Sequence, residues 1–269
     1  MKRIASGAGV ARPWRRRDNE GPRIFAHRGA RFHAPENTLA AFELARRAGA
    51  DGIELDVRTA ADGTVVVFHD TTLTRMTGGE DRRRVAELDG ESLSRVRLSG
   101  EPVPTLEDVL AWARNTPLLV NVELKRDVPR RAELVAAVGA LLDSEPEAPE
   151  RILLSSFDPA MVWRAARRAA RVAVAWLLHD GQRLLRTAPG WSRLGARGVH
   201  LERTLLSRAR VARLRRAGAF VNTWTVNSAL EARRASELGV DAIITDVPEH
   251  LLGARASWPR ARQRDGEPE

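Results

Sequence analysis

The chain has 269 residues, is 43% hydrophobic and 29% charged, and contains no cysteine. That excludes disulfides and thiolate metal sites, and no apolar run approaches the length of a membrane-spanning helix. The length is more than one ordinary domain needs but suits a single α/β barrel with a sizeable core. The formal charge is +9, from 44 basic against 35 acidic residues, and Lys2 and Lys125 are the only lysines. Such a skew to arginine follows from the codon bias of a GC-rich genome. Arginines fall on nearly every predicted helix, as at Arg164, Arg167, Arg168 and Arg171. The positive charge therefore reads as a solvated surface, with a functional anion-attracting field as the alternative and no nucleic-acid partner expected.

Residues 1–21 carry Arg12 and Arg15 to Arg17 but no apolar segment, so they read as a disordered basic tail and not as a signal peptide. A cytoplasmic location follows as an expectation. From residue 22 to 253, short apolar runs alternate with helical periodicity. Strands are expected at 24–27, 51–57, 118–124, 152–155, 172–178, 199–201, 220–225 and 242–245. Helices are expected at 38–48, 106–114, 131–142, 159–169, 181–187, 208–217, 228–238 and 248–252. Asn37 or Thr38, Thr105, Asp158, Ser207 and Asn227 or Ser228 are candidate N-caps. Gly49, Gly218 and Gly239 stand where helices should stop.

Residues 65–68 make one further short strand. Residues 70–104 then lose the rhythm and read as a small insertion after the second strand, able to cover the barrel mouth. Residues 254–269 are polar and read as a second disordered tail. Eight strands alternating with helices predict a (β/α)8 TIM barrel in preference to an open doubly wound sheet, because chemistry-capable residues cluster at strand ends.

Those residues form a pattern. In Gly52-Ile-Glu-Leu-Asp-Val57 a strand turns Glu54 and Asp56 to one face and Ile53, Leu55 and Val57 to the other. Two such close negative charges call for a cation or protons between them. Glu123 and Lys125 repeat the spacing at the end of Leu118–Lys125. His27 closes the first predicted strand, and His69 follows the short strand at 65–68.

Taken together, His27-Arg-Gly29, Pro35-Glu-Asn-Thr38, Glu54-Leu-Asp56, His69-Asp70 and Glu123-Leu-Lys125 closely resemble the glycerophosphodiester phosphodiesterase family. The resemblance continues through Trp224-Thr-Val-Asn227 and Gly239 to Pro248. It implies a TIM-barrel hydrolase using one divalent cation, two histidines and a phosphate-binding Arg and Lys. Such enzymes cleave glycerophosphodiesters to glycerol 3-phosphate and an alcohol. The family usually shows a Leu-Thr pair before the Asp-Gly turn, whereas Thr59-Ala60 precede Asp62-Gly63 here. That difference touches a strand end and not the chemistry.

The residue types support this chemistry independently. Oxygen ligands from Glu54, Asp56 and Glu123 suit one hard cation, Mg²⁺ or Ca²⁺. His27 and His69 are candidate general acid and base, since imidazole titrates near working pH. Arg28 offers a fork and Lys125 a point charge to phosphoryl oxygens, with a plain salt bridge to Glu123 the alternative for Lys125. Glu36 and Asn37 could orient ligands or substrate, or Asn37 could simply cap the first helix. Trp224 could wall a glycerol backbone or merely pack. His33, His179, His200 and His250 lie outside the motifs. A lysophospholipase D-type enzyme releasing lysophosphatidic or cyclic phosphate, and a non-catalytic anion-binding module, remain alternative readings.

Overall fold

The computed structural model describes residues 14–16, 20–182 and 190–258. The barrel strands are β1 (Arg23–His27), β2 (Gly52–Thr59), β6 (Leu119–Leu124), β7 (Ile152–Ser156), β8 (Ala173–Leu178), β9 (Gly198–Glu202), β10 (Phe220–Trp224) and β11 (Ala242–Thr245). All eight run parallel, in that order, and β11 returns to pair with β1, closing a TIM barrel. The helices are α1 (Leu39–Arg47), α2 (Gly90–Ser94), α3 (Leu106–Arg114), α4 (Arg131–Asp143), α5 (Ala148–Arg151), α6 (Pro159–Arg168), α7 (Gly190–Arg193), α8 (Arg208–Arg216), α9 (Ala229–Leu238) and α10 (Pro248–Arg255). The helix expected at 181–187 lies mostly outside the described residues.

Strand alternation sorts the core into two shells. Residues such as Ile24, Ile53, Leu55, Val120, Val122, Leu154, Val199 and Ile243 face outward onto the helices. Phe25, Leu153, Ala173, Ala175, Phe220, Ala242 and Ile244 fill the barrel interior. Two glycines make room for the rings. A Cβ on Gly52 would lie 2.5 Å from Phe25, and one on Gly198 would lie 2.1 Å from Phe220.

Both expected tails need correction where they are described. Trp14 is 2% exposed and packs with the barrel interior, its ring 6.2 Å from Phe25 and 6.5 Å from Phe220. Asp241 anchors the same segment by accepting from the Arg16 main-chain N–H. At the other end α10 continues to Arg255, and Trp258 is buried against the outer core. A large aromatic side chain gains more by burial than a tail loses in freedom, which polarity alone does not reveal.

The insertion is a small layer of its own. The β3 strand (Val65–Val67) runs antiparallel to β2. A one-turn 3-10 helix, α2 and a hairpin of β4 (Arg97–Leu98) and β5 (Glu101–Pro102) follow. Val66, Phe68, Leu73, Val85, Leu93, Leu98 and Val103 form its separate core.

Candidate active site

The interior becomes polar toward the C-terminal ends of the strands. Register places His27 opposite Glu54, Glu54 opposite Asn121, and Asp56 opposite Glu123. Ligand oxygens of Glu54, Asp56 and Glu123 come within 4.8 Å of one another. Glu54 and Asp56 are buried, and Glu123 is 12% exposed. Lys125 Nζ sits 3.0 Å from Glu123 Oε1 and 3.3 Å from Asp56 Oδ1.

These charges do not share compensation equally. Burial would raise Asp56, but Lys125, Arg28 and His69, with a hydrogen bond from Asn37, hold its carboxyl far below the usual range. Glu54 moves the other way. Burial, then the charges of Asp56 and Glu123, push it well above the ordinary glutamate value despite Arg28 and Lys125. A buried carboxylate left short of positive charge, between two others, fits a site built for a cation. An all-oxygen donor set suits Mg²⁺ or Ca²⁺.

Local backbone geometry aims the neighbours. Arg28 and Asn37 both hold φ at 60°, the left-handed region that costs a side-chain-bearing residue about 1 kcal/mol or more. Gly29 follows at φ 83°, and a Cβ there would strike Ala41 at 2.7 Å, so this turn requires glycine. The Arg28 main-chain N–H donates to Glu54 O at 2.9 Å, and Arg28 O accepts from Asn37 N–H at 3.0 Å. Thr38 caps α1 by accepting from Ala41 N–H. Asn37 is thereby freed, and it donates from Nδ2 to Asp56 Oδ2 at 3.0 Å and accepts from Asp56 N–H at 3.2 Å.

Glu36 is buried beneath three guanidinium groups. Arg28 donates to it at 2.9 Å, Arg75 donates at 2.6 Å, and Arg31 pairs with it at 2.9 Å. This fixes Arg28 at the mouth. Arg28 Nε stands 3.1 Å from Asp56 Oδ2 but is not aimed along a hydrogen bond, so that buried N–H has no acceptor.

Each motif histidine is held by a carboxylate. His27 Nδ1 lies 2.7 Å from Asp246 Oδ1, with its Nε2 3.9 Å from Glu54. His69 Nδ1 lies 2.6 Å from Asp70 Oδ1, and Asp70 in turn accepts from Arg75 Nε at 2.7 Å. Neither ring makes a hydrogen bond through Nε2 among the described residues. Burial, then the positive charges of Lys125 and Arg28, push His69 below the ordinary histidine value, against Asp56 and Asp70.

Trp224 is half-buried in the wall of a cleft shared with Glu123, Lys125, Arg126, Asp127, Phe157 and His179. Its ring meets Phe157 edge-on at 5.3 Å. All ten residues singled out in the sequence thus gather at one end of the barrel. His200 is buried in the interior against Asn222, and His33 and His250 are exposed.

Sequence reading missed Asp246, Arg58 and Arg75. Asp246 lies in a quoted motif, but its contact with His27 needs the last strand to close on the first. Arg58 falls two residues after Asp56 and so shares its face, which was the available signal. Arg75 stands in the aperiodic insertion.

Two carboxylate-held histidines and an acidic triad that could hold a metal ion meet at the C-terminal mouth of a TIM barrel, the layout of an enzyme site. Known proteins give its class, a hydrolase of phosphoric diesters. The glycerophosphoryl diester phosphodiesterase family matches residues 27–250, and the chain belongs to that family. A glycerophosphodiester phosphodiesterase of Caldanaerobacter subterraneus subsp. tengcongensis is 32% identical over 239 residues, covering 85% of this chain and 96% of the relative. Among crystal structures, a candidate glycerophosphoryl diester phosphodiesterase of Silicibacter pomeroyi DSS-3 superposes with a TM-score of 0.81 at 28% identity, over 93% of this chain and 99% of the other. A phosphodiesterase of Oleispira antarctica, solved with its product sn-glycerol-3-phosphate, gives 0.76 at 25% identity, over 87% and 96%.

Proposed function

We propose that the cleft hydrolyses glycerophosphodiesters to glycerol 3-phosphate and an alcohol, with His27 and His69 sharing the proton transfers. The carrying observation is the pair of histidines, each tied through Nδ1 to its own carboxylate, beside a buried acidic triad. A ring bound to a carboxylate at Nδ1 keeps one tautomer and one orientation, leaving Nε2 to accept or give a proton. One histidine takes the proton of the attacking hydroxyl, which is the glycerol 2-hydroxyl or a water. The other protonates the departing alcohol oxygen. Attack by the 2-hydroxyl gives a cyclic phosphate that water opens in a second step.

Glu54, Asp56 and Glu123 would hold one divalent cation, Mg²⁺ or Ca²⁺, and Asn37 fixes the orientation of Asp56. When bound, such an ion supplies positive charge for the phosphoryl oxygens. Lys125 adds a point charge, and the unpartnered Arg28 Nε–H is a donor ready for a phosphoryl oxygen. Glu36 holds Arg28 in place. Trp224 and Phe157 offer an apolar wall for the glycerol backbone.

The test is release of glycerol 3-phosphate from glycerophosphocholine with and without EDTA, followed by add-back of Mg²⁺ and Ca²⁺. Release abolished by EDTA and restored by one cation supports the reading. A folded sample that is inert on this diester but releases lysophosphatidic or cyclic phosphate from lysophosphatidylcholine moves the assignment to lysolipids. A folded sample inert on both moves it to an anion-binding role.

A further inference from the structure

The acids of this chain, and not its arginines, are unevenly placed. Between Pro159 and Gly218 the described residues carry twelve arginines, no lysine and only two acids, Asp180 and Glu202. With Arg183 and Arg186 counted, residues 159–218 hold fourteen arginines, and the remainder of the chain holds 30 basic against 33 acidic residues, so this one segment carries the whole positive excess. Codon usage explains why a cation is arginine and not lysine. It does not explain why carboxylates are missing from one side of a barrel.

In space the segment is one flank. The helices α6, α7 and α8 follow the adjacent strands β7, β8 and β9, so they sit in succession around the outer ring. Gly195, just after α7, packs so closely on α6 that a Cβ there would meet Ala166 at 2.8 Å. Three of the flank arginines are paired with acids, Arg168 with Asp143, Arg203 with Glu231 and Arg215 with Asp241. Arg171 and Arg210 donate to main-chain carbonyls. Arg164, Arg193, Arg208, Arg213 and Arg216 are exposed, and their guanidinium groups have no ion-pair or hydrogen-bond partner among the described residues.

A large aromatic side chain stands among them. Trp163 on α6 is 42% exposed, and the Arg167 guanidinium stacks over it 4.0 Å from the ring centroid. Exposed tryptophan flanked by unpaired arginine is the composition of a surface that meets a lipid head-group layer.

We propose that the α6–α8 flank docks the protein on anionic phospholipid bilayers, peripherally and through charge. No helix among the described residues is long and apolar enough to cross a membrane. The arginines rise from three helices at irregular spacings on a convex face. A fluid bilayer meets such a pattern because its anionic head groups move to each guanidinium. Nucleic acid has fixed phosphate spacing, and its single-stranded form favours a groove with several stacking aromatics, where this flank offers one tryptophan. The flank is built from residues outside the catalytic cleft, so it leaves hydrolysis of a soluble diester unchanged.

The experiment is co-sedimentation of the full chain with vesicles of phosphatidylcholine alone and with about one third phosphatidylglycerol, at low and high salt. The expected result is retention by the anionic vesicles only, lost at high salt. The variant Arg164→Gln/Arg167→Gln/Arg213→Gln/Arg216→Gln should bind about 10³-fold more weakly, at roughly five- to sixfold per charge. Its melting temperature and its turnover of a soluble diester report that it is folded. Trp163→Ala, a milder change, should weaken binding while keeping its salt dependence. Absence of retention by anionic vesicles at low salt overturns the proposal, as does retention that the fourfold variant keeps. Retention by duplex or single-stranded DNA without retention by vesicles makes the flank a nucleic-acid surface and also overturns it.

Discussion

Arg58 and His69 are joined through the backbone: Arg58 Nε and Nη2 both donate to the main-chain oxygen of His69, at 2.8 and 2.6 Å. The same guanidinium pairs with both Asp127 carboxylate oxygens, at 2.8 and 2.7 Å. Strand β2 therefore carries Glu54 and Asp56 and also ties down the segments that present His69 and Lys125. One strand sets the relative position of the two acids, the histidine and the ammonium. A displacement of about 1 Å at such a site is enough to cost on the order of 10²-fold in rate.

Arg58→Lys keeps the charge but loses the planar fork. The expected outcome is a loss of kcat of about tenfold or more with KM within a few-fold, because His69 is presented less well while the binding groups remain. Stability should fall by about 1–3 kcal/mol, since the half-buried His69 carbonyl loses its paired guanidinium donors. Steady-state kinetics beside thermal unfolding separate the two effects. A lysine variant with wild-type kcat would show that the fork has no positioning role.

Asp246 holds His27 from 219 positions away along the chain. Burial alone would raise its carboxyl, but the hydrogen bond and charge of His27, with Asn227 and Arg31, hold it down at about 2. It is ionised throughout the working range and keeps the Nδ1 proton of His27 in place. Asp246→Asn should lower kcat by about 10²-fold or more with little change in KM. Asn227→Ala, which removes only the donor to the other carboxylate oxygen and the local loop bonds, should cost far less. Equal losses in the two variants would assign the effect to the loop and not to the histidine.

The sequence made the barrel legible because its strands are apolar runs separated by capped, amphipathic helices. The site was legible where chemistry sits at a strand end, as with Glu54, Asp56, His27 and Glu123. Three things escaped for physical reasons. Trp14 lies outside any periodic element, and only closure of the barrel creates the hole it fills. Arg58 shares the face of Asp56, but arginine is so common here that strand alternation alone did not single it out. Asp246 needed the contact between first and last strands, which is topology and not local pattern.

His200 sits fully buried on β9, within hydrogen-bond distance of Asn222 through Nε2, and burial pushes its pKa down to about 3. In the unfolded chain an ordinary histidine titrates near about 6.5. Between those values the unfolded state binds a proton that the folded state refuses. Stability is therefore intact above about pH 6.5 and declines as pH falls, levelling only near the folded value. Urea unfolding at neutral pH and at about pH 5 should show this acid slope. His200→Gln should lower stability at neutral pH yet flatten the slope by about one proton. An unchanged slope in the variant would place the acid sensitivity elsewhere.

Glu54 turns the same logic toward the cation. Its carboxyl is raised by burial and by the charges of Asp56 and Glu123, so without an ion its negative form strains the fold. Because the folded value lies above the unfolded one, this cost is present at neutral pH and disappears as pH falls through the folded value. Glu54→Gln keeps the shape and removes the repelled charge. In EDTA the variant should melt higher than the wild type by a few degrees, as expected for about 1 kcal/mol of relief. Adding Mg²⁺ or Ca²⁺ should raise the wild-type melting temperature in proportion to occupancy and leave the variant nearly unmoved. Activity should be lost in the same variant, because the triad then lacks a ligand. A variant that melts lower than wild type in EDTA would mean that Glu54 is compensated in the ion-free fold, and the case for a cation at this triad would fail with it.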